Sequence, residues 1–599
     1  MAHKLEDDDR MEAVEMEDRR KSKGRRVEFS TDSHDEQGVA DSSLTESDDD
    51  IENDAYQEAD YLRKPGSNRG HTMRNSHGLQ FRRGRSKEPK LAKYVIILAV
   101  PLTALLILLI VATNVSSSPD KEATLAAPTG IAYASGFDMR NNWGSLSPYF
   151  DTGVAFPDTQ GGHLWPPSCK LRQVHVLHRH AERYPTESRS KRMKTTIDKL
   201  KKANVGSGDS LEWLKDWEYS LGTDLLVSRG VGSEYKSGAD FWASHGQFLY
   251  PSRPANDLGI QGDNSTWATE LNGLNQTKPL FRATEQERIV ASAHAWAAGF
   301  FGFHGSEEDL PTQGQDFYRL LLQKEAPGFN STLASYFSCP NALNSTYAIP
   351  GRQRTQNWIN SYLKPATQRL TKMLPDVDIT AADAHNMQLL CAFETAAYGT
   401  SRFCTLFTEV EWRGFEYSQD LEFFGHSGPS APFSKATGAG WVAELLARLE
   451  KRYFTNGDGD YGVNTTITGD SDVFPLDQPI YLDMSHDSVI VSVLSALGLD
   501  FLESNLPDTR MPVPRNFVVS RLTPFAARLF VEVLDCDDNS QPQVRLVLNS
   551  RVLPLSGLYY CPTQRDGLCP LDKFTKSLKN ALNNANFAKL CYSDDPLGA

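Results

Sequence analysis

The first 168 residues contain no cysteine, and no two cysteines anywhere stand in a Cys-x-x-Cys pair. The second absence argues against a structural zinc site, whose thiolates come in close pairs. No glycine-rich phosphate loop of the form G-x-x-x-x-G-K-S/T occurs, which excludes the P-loop route to nucleotides. Positive charge is in deficit: the formal net charge is −14, so nucleic acid is not expected as a partner. Residues 1–93 are short of aliphatic side chains and dense in Asp, Glu, Lys, Arg, Ser and Asn. Such a segment cannot bury enough apolar surface to offset the entropy of ordering, and 1–93 is expected to be a disordered charged tail.

Where the charge stops, a long apolar run begins. Val95 to Ala112 reads VIILAVPLTALLILLIVA, long enough to cross a bilayer, and a transmembrane helix tolerates Pro101. The run starts too far from the N-terminus for a cleaved signal peptide. Arg82, Arg83, Arg85, Lys87, Lys90 and Lys93 precede it, and NVSSSPDKEA with a single Lys follows. The positive-inside rule then places 1–93 in the cytosol, a signal-anchor over 94–115, and the rest outside or in a lumen. A single-pass type II protein of the secretory pathway, at the plasma membrane or the vacuole, is therefore expected. The cysteines agree. Cys169, Cys339, Cys391, Cys404, Cys536, Cys561, Cys569 and Cys591 all follow the run, and an even number on the oxidising side is expected to form bridges. Their spacing leaves the pairing open. N-x-S/T sequons at Asn264, Asn275, Asn330, Asn344 and Asn464 lie on the same side and are expected glycan acceptors, whereas the sequon at Asn114 is too close to the membrane run. Residues 116–164, rich in Gly, Pro and aromatics, read as a stalk.

The chemistry starts at Val174–Thr186, VHVLHRHAERYPT. A β-type apolar run delivers its end into Arg179-His180, and Arg183 follows. Guanidinium forks fit phosphate oxygens, and a neutral imidazole is a good nucleophile, so a His set among arginines suits phosphoryl capture. His175, His178 and His180 also invite a metal, but the adjacent Arg179 and Arg183 would repel a cation, and no metal is expected. Downstream, Pro479–Met484 reads as a short strand ending in Ser485-His486-Asp487, followed by the apolar run from Val489 to Leu499. A third segment, Leu280-Phe281-Arg282, reads as a strand end ahead of a buried helix face over Glu287–Phe300. Arg288 on that helix reads as a surface residue. Further strands are expected at Arg528–Leu534 and Val544–Leu548, and helices at Ser188–Lys202, Gly232–Ser244, Ala384–Tyr398, Ala439–Tyr453 and Leu571–Phe587. Strands and helices alternate at the two ends of 165–599 with a mainly helical stretch, about 186–385, between them. This pattern implies an α/β sheet domain with a helical insertion and a site in the cleft.

The spacing R-H-x-x-R-x-P, with His-Asp after a later strand, resembles the histidine acid phosphatases, and most closely the secreted fungal acid phosphatases and phytases. The resemblance runs through 165–599. It implies a phosphoglycerate-mutase-like mixed sheet flanked by helices, and hydrolysis of phosphate monoesters without metal or cofactor. It also assigns roles: His180 as nucleophile, Asp487 as proton donor, and Arg179, Arg183, Arg282 and His486 as phosphate ligands. By the same resemblance the bridges are Cys169–Cys536, Cys339–Cys591, Cys391–Cys404 and Cys561–Cys569. Two positions depart from the family. Ala181 stands where Gly is usual, which matters if the backbone there needs positive φ. Glu182 puts a carboxylate beside the phosphate site, where it would repel a highly anionic substrate. The implied activity is a membrane-anchored acid phosphomonoesterase. A phytase or other inositol polyphosphate phosphatase is the narrower alternative, and a catalytically silent glycoprotein on the same fold is the alternative from another class.

Overall fold

The apolar run at Val174 is the centre of strand β1 (Cys169–Arg179), whose last six residues are all buried. Continuous burial of this kind is what a strand covered on both faces requires. The computed structural model describes 136–598, apart from 160–163, 206–209, 251–277, 303–316, 456–457, 538 and 540. The expected tail, the apolar run at 94–115, Asn264 and Asn275 lie outside the described residues. Among the described residues, no helix is long and apolar enough to cross a membrane.

Seven further strands complete the sheet: β2 (Leu280–Thr284), β3 (Arg319–Gln323), β4 (Ile480–Ser485), β5 (Arg528–Cys536), β6 (Gln543–Leu548), β7 (Arg551–Val552) and β8 (Cys569–Pro570). Their order is β3-β2-β4-β1-β5-β6-β7, with β8 paired to β6. β3, β2, β4 and β1 run parallel, and β5 joins β1 antiparallel. The register sets Arg179 opposite Ser485, so the two motif strands end side by side. Ligands in open α/β sheets bind beyond the carboxyl ends of parallel strands, and both motifs lie there.

The long helices used below are α1 (Glu187–Leu200), α2 (Ser228–Phe241), α3 (Glu287–Phe301), α4 (Ser345–Tyr362), α5 (Ala381–Tyr398), α6 (Glu409–His426), α7 (Ser434–Leu449), α8 (Asp487–Ala496) and α9 (Leu571–Asn584). α2 and α3 cover one face of the sheet, where Phe241, Ile289, Trp296 and Phe300 pack on Val174, Val176, Leu482 and Phe530. α7, α8 and α9 cover the other, where Trp441, Val489 and Phe574 meet Leu177, Leu529 and Val531. A separate helical core joins Met193 and Ile197 to Leu389, Phe393, Trp412 and Phe415.

Two expected boundaries change. The helical insertion is not the continuous stretch 186–385. α2 and α3 inside that range pack on the sheet, and the helical core extends to Phe415. The expected stalk does not reach 164, because its last part is folded into the domain. Trp143 and Leu146 are 2% and 3% exposed and belong to the helical core. The four bridges pair as the resemblance implies, and Cys169–Cys536 joins residues directly opposite on β1 and β5.

Candidate active site

His180 is the first residue past β1. Its amide donates to Ser485 O at the end of β4, and its carbonyl accepts from Ala526 N, so two strands and a loop fix the backbone. Its Nδ1 lies 2.8 Å from Ala181 O. A carbonyl can only accept, so Nδ1 carries the hydrogen and Nε2 is left with its lone pair. Burial, then Arg179, Arg288 and Arg183, hold the imidazole well below its usual range and therefore neutral. Ala181 is buried and is not among the positive-φ residues, so its methyl replaces glycine without backbone strain.

The loop after His180 is held by backbone pairing. Val227 N donates to Glu182 O and Tyr184 N to Leu225 O, while Arg183 Nη1 donates to Tyr184 O. Burial lowers the Arg179 guanidinium to about 10, against the upward pull of Asp487 and Glu182. Arg179 therefore stays charged through the acid range. Glu182 is 3% exposed, and its charge acts on Arg179 from inside the site rather than from an open rim.

His486 and Asp487 begin α8 directly after β4. The Asp487 side chain is 18% exposed and lies 2.8 Å from Arg179 Nη2. Burial would raise its carboxyl, but Arg179, Arg183 and His486 outweigh burial and hold it below the ordinary value. The His486 ring sits 6.0 Å from that of His180, edge to face. Its Nε2 is 2.8 Å from Glu325 Oε1, a residue that sequence reasoning did not mark.

Arg282 is not with these residues. It lies in the middle of β2, opposite Asp483 of β4, rather than at a strand end. Its Nε donates to Asp483 Oδ1 at 2.7 Å and its Nη2 to Glu444 Oε2 at 2.7 Å, with Arg448 also on Asp483 at 3.0 Å. A guanidinium committed to two buried carboxylates under the sheet does not clamp substrate. The arginine that acts on His180 from this segment is Arg288, in the first turn of α3 and only 5% exposed. The spacing could have found it, since a helix starting at Glu287 brings its first turn to the carboxyl end of β2.

The other two histidines each have their own partners. His175 stacks on Tyr481 at 4.5 Å and donates through Nε2 to Gln173 Oε1 at 3.1 Å. His178 Nε2 lies 2.9 Å from Ser237 Oγ, and burial, then Arg528, push the ring down to about 3. Asn330 and Asn464 are half-buried, and Asn344 is exposed.

One part of the site comes from the former stalk. Arg179 Nη1 donates to Ser145 O at 2.5 Å and to Thr523 O at 2.8 Å. Ser145 is presented by Gly144 at φ +57°, where an added Cβ would lie 2.3 Å from Gln419 Cβ. Gly144→Ala is therefore expected to push this strap off α6 and loosen Arg179. kcat/KM for a phosphate ester should fall by about tenfold, with a drop of several degrees in Tm. Steady-state kinetics beside thermal unfolding checks this, and unchanged kcat/KM would mean that Thr523 alone holds the clamp.

Comparison with known proteins agrees with this geometry. Residues 170–549, more than half of the chain, match the sequence model of the histidine phosphatase superfamily (branch 2). Phytase A of Arthroderma benhamiae is 30% identical over 462 residues, covering 74% of this chain and 91% of that protein. Phytase A of Emericella nidulans is 29% identical over 469 residues, covering 75% and 90%. The crystal structure of the phytase from D. castellii shares the fold at a TM-score of 0.58 and 22% identity, covering 79% of this chain and 92% of that one. A sheet of parallel strands with His180 at the end of one, Asp487 at the end of its neighbour and arginines around both is thus found where the family match falls, and the chain belongs to the histidine phosphatase superfamily, branch 2, as a phosphoric monoester hydrolase of the acid phosphatase type.

Proposed function

We propose that the chain hydrolyses phosphate monoesters at acid pH through a phosphohistidine on Nε2 of His180. The observation that carries this reading is the tautomer: Nδ1–H is spent on Ala181 O, and the bare Nε2 stands in a field of three arginines. Arg179, Arg183 and Arg288 would take the nonbridging oxygens and stabilise the charge spread over the transferring group. Nε2 attacks phosphorus as the P–O bond to the leaving group breaks. Asp487 gives its proton to the departing oxygen, then takes one from the water that releases phosphate.

The pH dependence follows from two shifts. A free imidazole near ~6.5 would be protonated, and useless as a nucleophile, in acid. His180 is held well below that value by burial and the arginines, so it stays nucleophilic there. Asp487 is ionised in the free enzyme, and the negative substrate offsets the arginine field that keeps it so. Activity is therefore expected to rise as pH falls from neutrality and to fail only when His180 itself protonates. A rate profile on an aryl phosphate checks this, and an optimum above neutrality would overturn it.

A narrower reading, an inositol polyphosphate phosphatase, is favoured by the similarity to proteins named Phytase A. Relative kcat/KM on phytate and on an aryl phosphate decides between the two. The type II anchor over 94–115, with the catalytic domain outside or in a lumen of the secretory pathway, rests on the sequence run and the flanking basic residues. The bridges of the catalytic domain suit that placement.

A further inference from the structure

Glu325 follows β3, the edge strand of the sheet. It is 2% exposed, and its Oε1 lies 2.8 Å from His486 Nε2. Its Oε2 accepts from Gln286 Nε2 at 2.7 Å and from Tyr336 Oη at 3.2 Å. Gln286 is the residue before α3, the helix that carries Arg288, and the Tyr336 ring meets the His486 ring at 6.2 Å. Three segments thus fix one carboxylate against one imidazole. A carboxylate accepts only, so the hydrogen of this contact sits on His486 Nε2.

That leaves a choice at Nδ1. A neutral His486 with its hydrogen on Nε2 would offer Nδ1 as a lone pair, which repels a phosphate oxygen. An imidazolium has a second N–H there and donates. We infer that Glu325 is a positioning residue that holds His486 as an imidazolium, so that Nδ1–H is available to the phosphate. The inference rests on the reading that phosphate binds among Arg179, Arg183 and Arg288. The groups facing His486 are Glu325 after β3, Tyr336, His180 after β1, and Asp487 next to it on α8. The carboxylates of Glu325 and Asp487 favour the cation. His180 is held neutral and does not oppose it. Arg179 and Arg183 draw on the charge of Asp487, so the carboxylate left to the imidazolium is Glu325.

The test compares the full-length protein with Glu325→Gln, which keeps an oxygen that can accept from Nε2 and removes the charge; the NH2 that replaces Oε2 also costs Gln286 and Tyr336 their acceptor, a structural effect that Tm reads separately. Inorganic phosphate binding is followed by calorimetry from acid to neutral pH, and kcat/KM on an aryl phosphate over the same range. The expected result is an affinity weaker by about tenfold or more near neutrality, with the neutral-side limb of both profiles moved toward acid. A merely structural role would lower Tm and leave that limb in place. Wild-type affinity and pH dependence in Glu325→Gln would overturn the inference. The 15N shifts of the His486 ring in the unsubstituted protein give an answer that needs no folded variant. An imidazolium at the pH where phosphate binds supports the inference, and a neutral ring there overturns it. Failure of the unsubstituted protein to hydrolyse any ester would instead count against the proposed function, and the ring shifts would still decide the state of His486.

Discussion

His180→Ala is expected to remove phosphate release from both aryl phosphate and phytate, by at least about 10⁴-fold in kcat, while the protein keeps its fold. The ring makes no contact on which the fold depends. Its hydrogen bond runs to the carbonyl of the next residue, and the backbone bonds of His180 to Ser485 and from Ala526 remain without the side chain. The arginine field is also untouched, so inorganic phosphate should still bind. That separation of binding from turnover is the signature of a lost nucleophile. Asp487→Asn provides the contrast. It removes a proton donor whose importance depends on the leaving group, so hydrolysis of an alkyl phosphate should fall by about 10²–10⁴-fold and that of a good aryl leaving group by much less. Rapid quenching into alkali should trap phosphate on His180, because phosphohistidine survives base and is lost in acid. Residual turnover in His180→Ala within tenfold of the unsubstituted rate would sink the covalent route.

Much of this site was legible because its two motifs sit where strands end. β1 and β4 are apolar runs with one chemical message each at the carboxyl end; β1 runs past the expected apolar stretch at both ends, and β4 is the expected strand moved on by one residue. The bridges followed from resemblance rather than spacing, and the pairing Cys169–Cys536 makes sense only once β5 is known to lie beside β1. What was hidden was hidden for physical reasons. β3 is an edge strand of Arg-Leu-Leu-Leu-Gln, largely uncovered, with no alternation to announce it. α4 contains Pro350, which argues against a helix in sequence. α6 is buried on nearly all sides and so lacks an amphipathic stripe. The strap at Met139–Leu146 consists of short turns that gain their order from Trp143 packing on Trp412, 6.1 Å between ring centroids, a contact between distant parts of the chain. Glu325 carried no signal because its role is defined by what it touches.

Arg282 and Arg288 stand six residues apart, and their substitution is expected to separate stability from catalysis. Arg282→Ala leaves Asp483 and Glu444 buried, each with a side chain 2% exposed, and removes the cation they share. Leaving a buried charge uncompensated costs about 3–5 kcal/mol, enough to unfold many domains. Arg448 still touches Asp483, whereas Glu444 keeps the hydroxyl of Thr332 at 2.8 Å and no ion pair among the described residues. Arg288→Ala has a different balance. Its acidic neighbour Asp224 is 3.6 Å away with a side chain 40% exposed, so water can take over that charge and the fold loses little. What is lost is one of the three arginine charges that bear on His180, and kcat/KM should fall by about 10²–10³-fold. The pH dependence of the two defects differs as well. Burial would raise the Asp483 carboxyl, but Arg282 and Arg448 hold it well below the ordinary range. A depressed carboxylate contributes stability above its unfolded value of ~3.9 and loses it only as pH falls through the lower folded value, so the Arg282 network holds throughout the acid working range. Thermal unfolding of both variants beside their kinetics distinguishes the roles. A stably folded but inactive Arg282→Ala, with Arg288→Ala fully active, would return the phosphate contact to the arginine of β2.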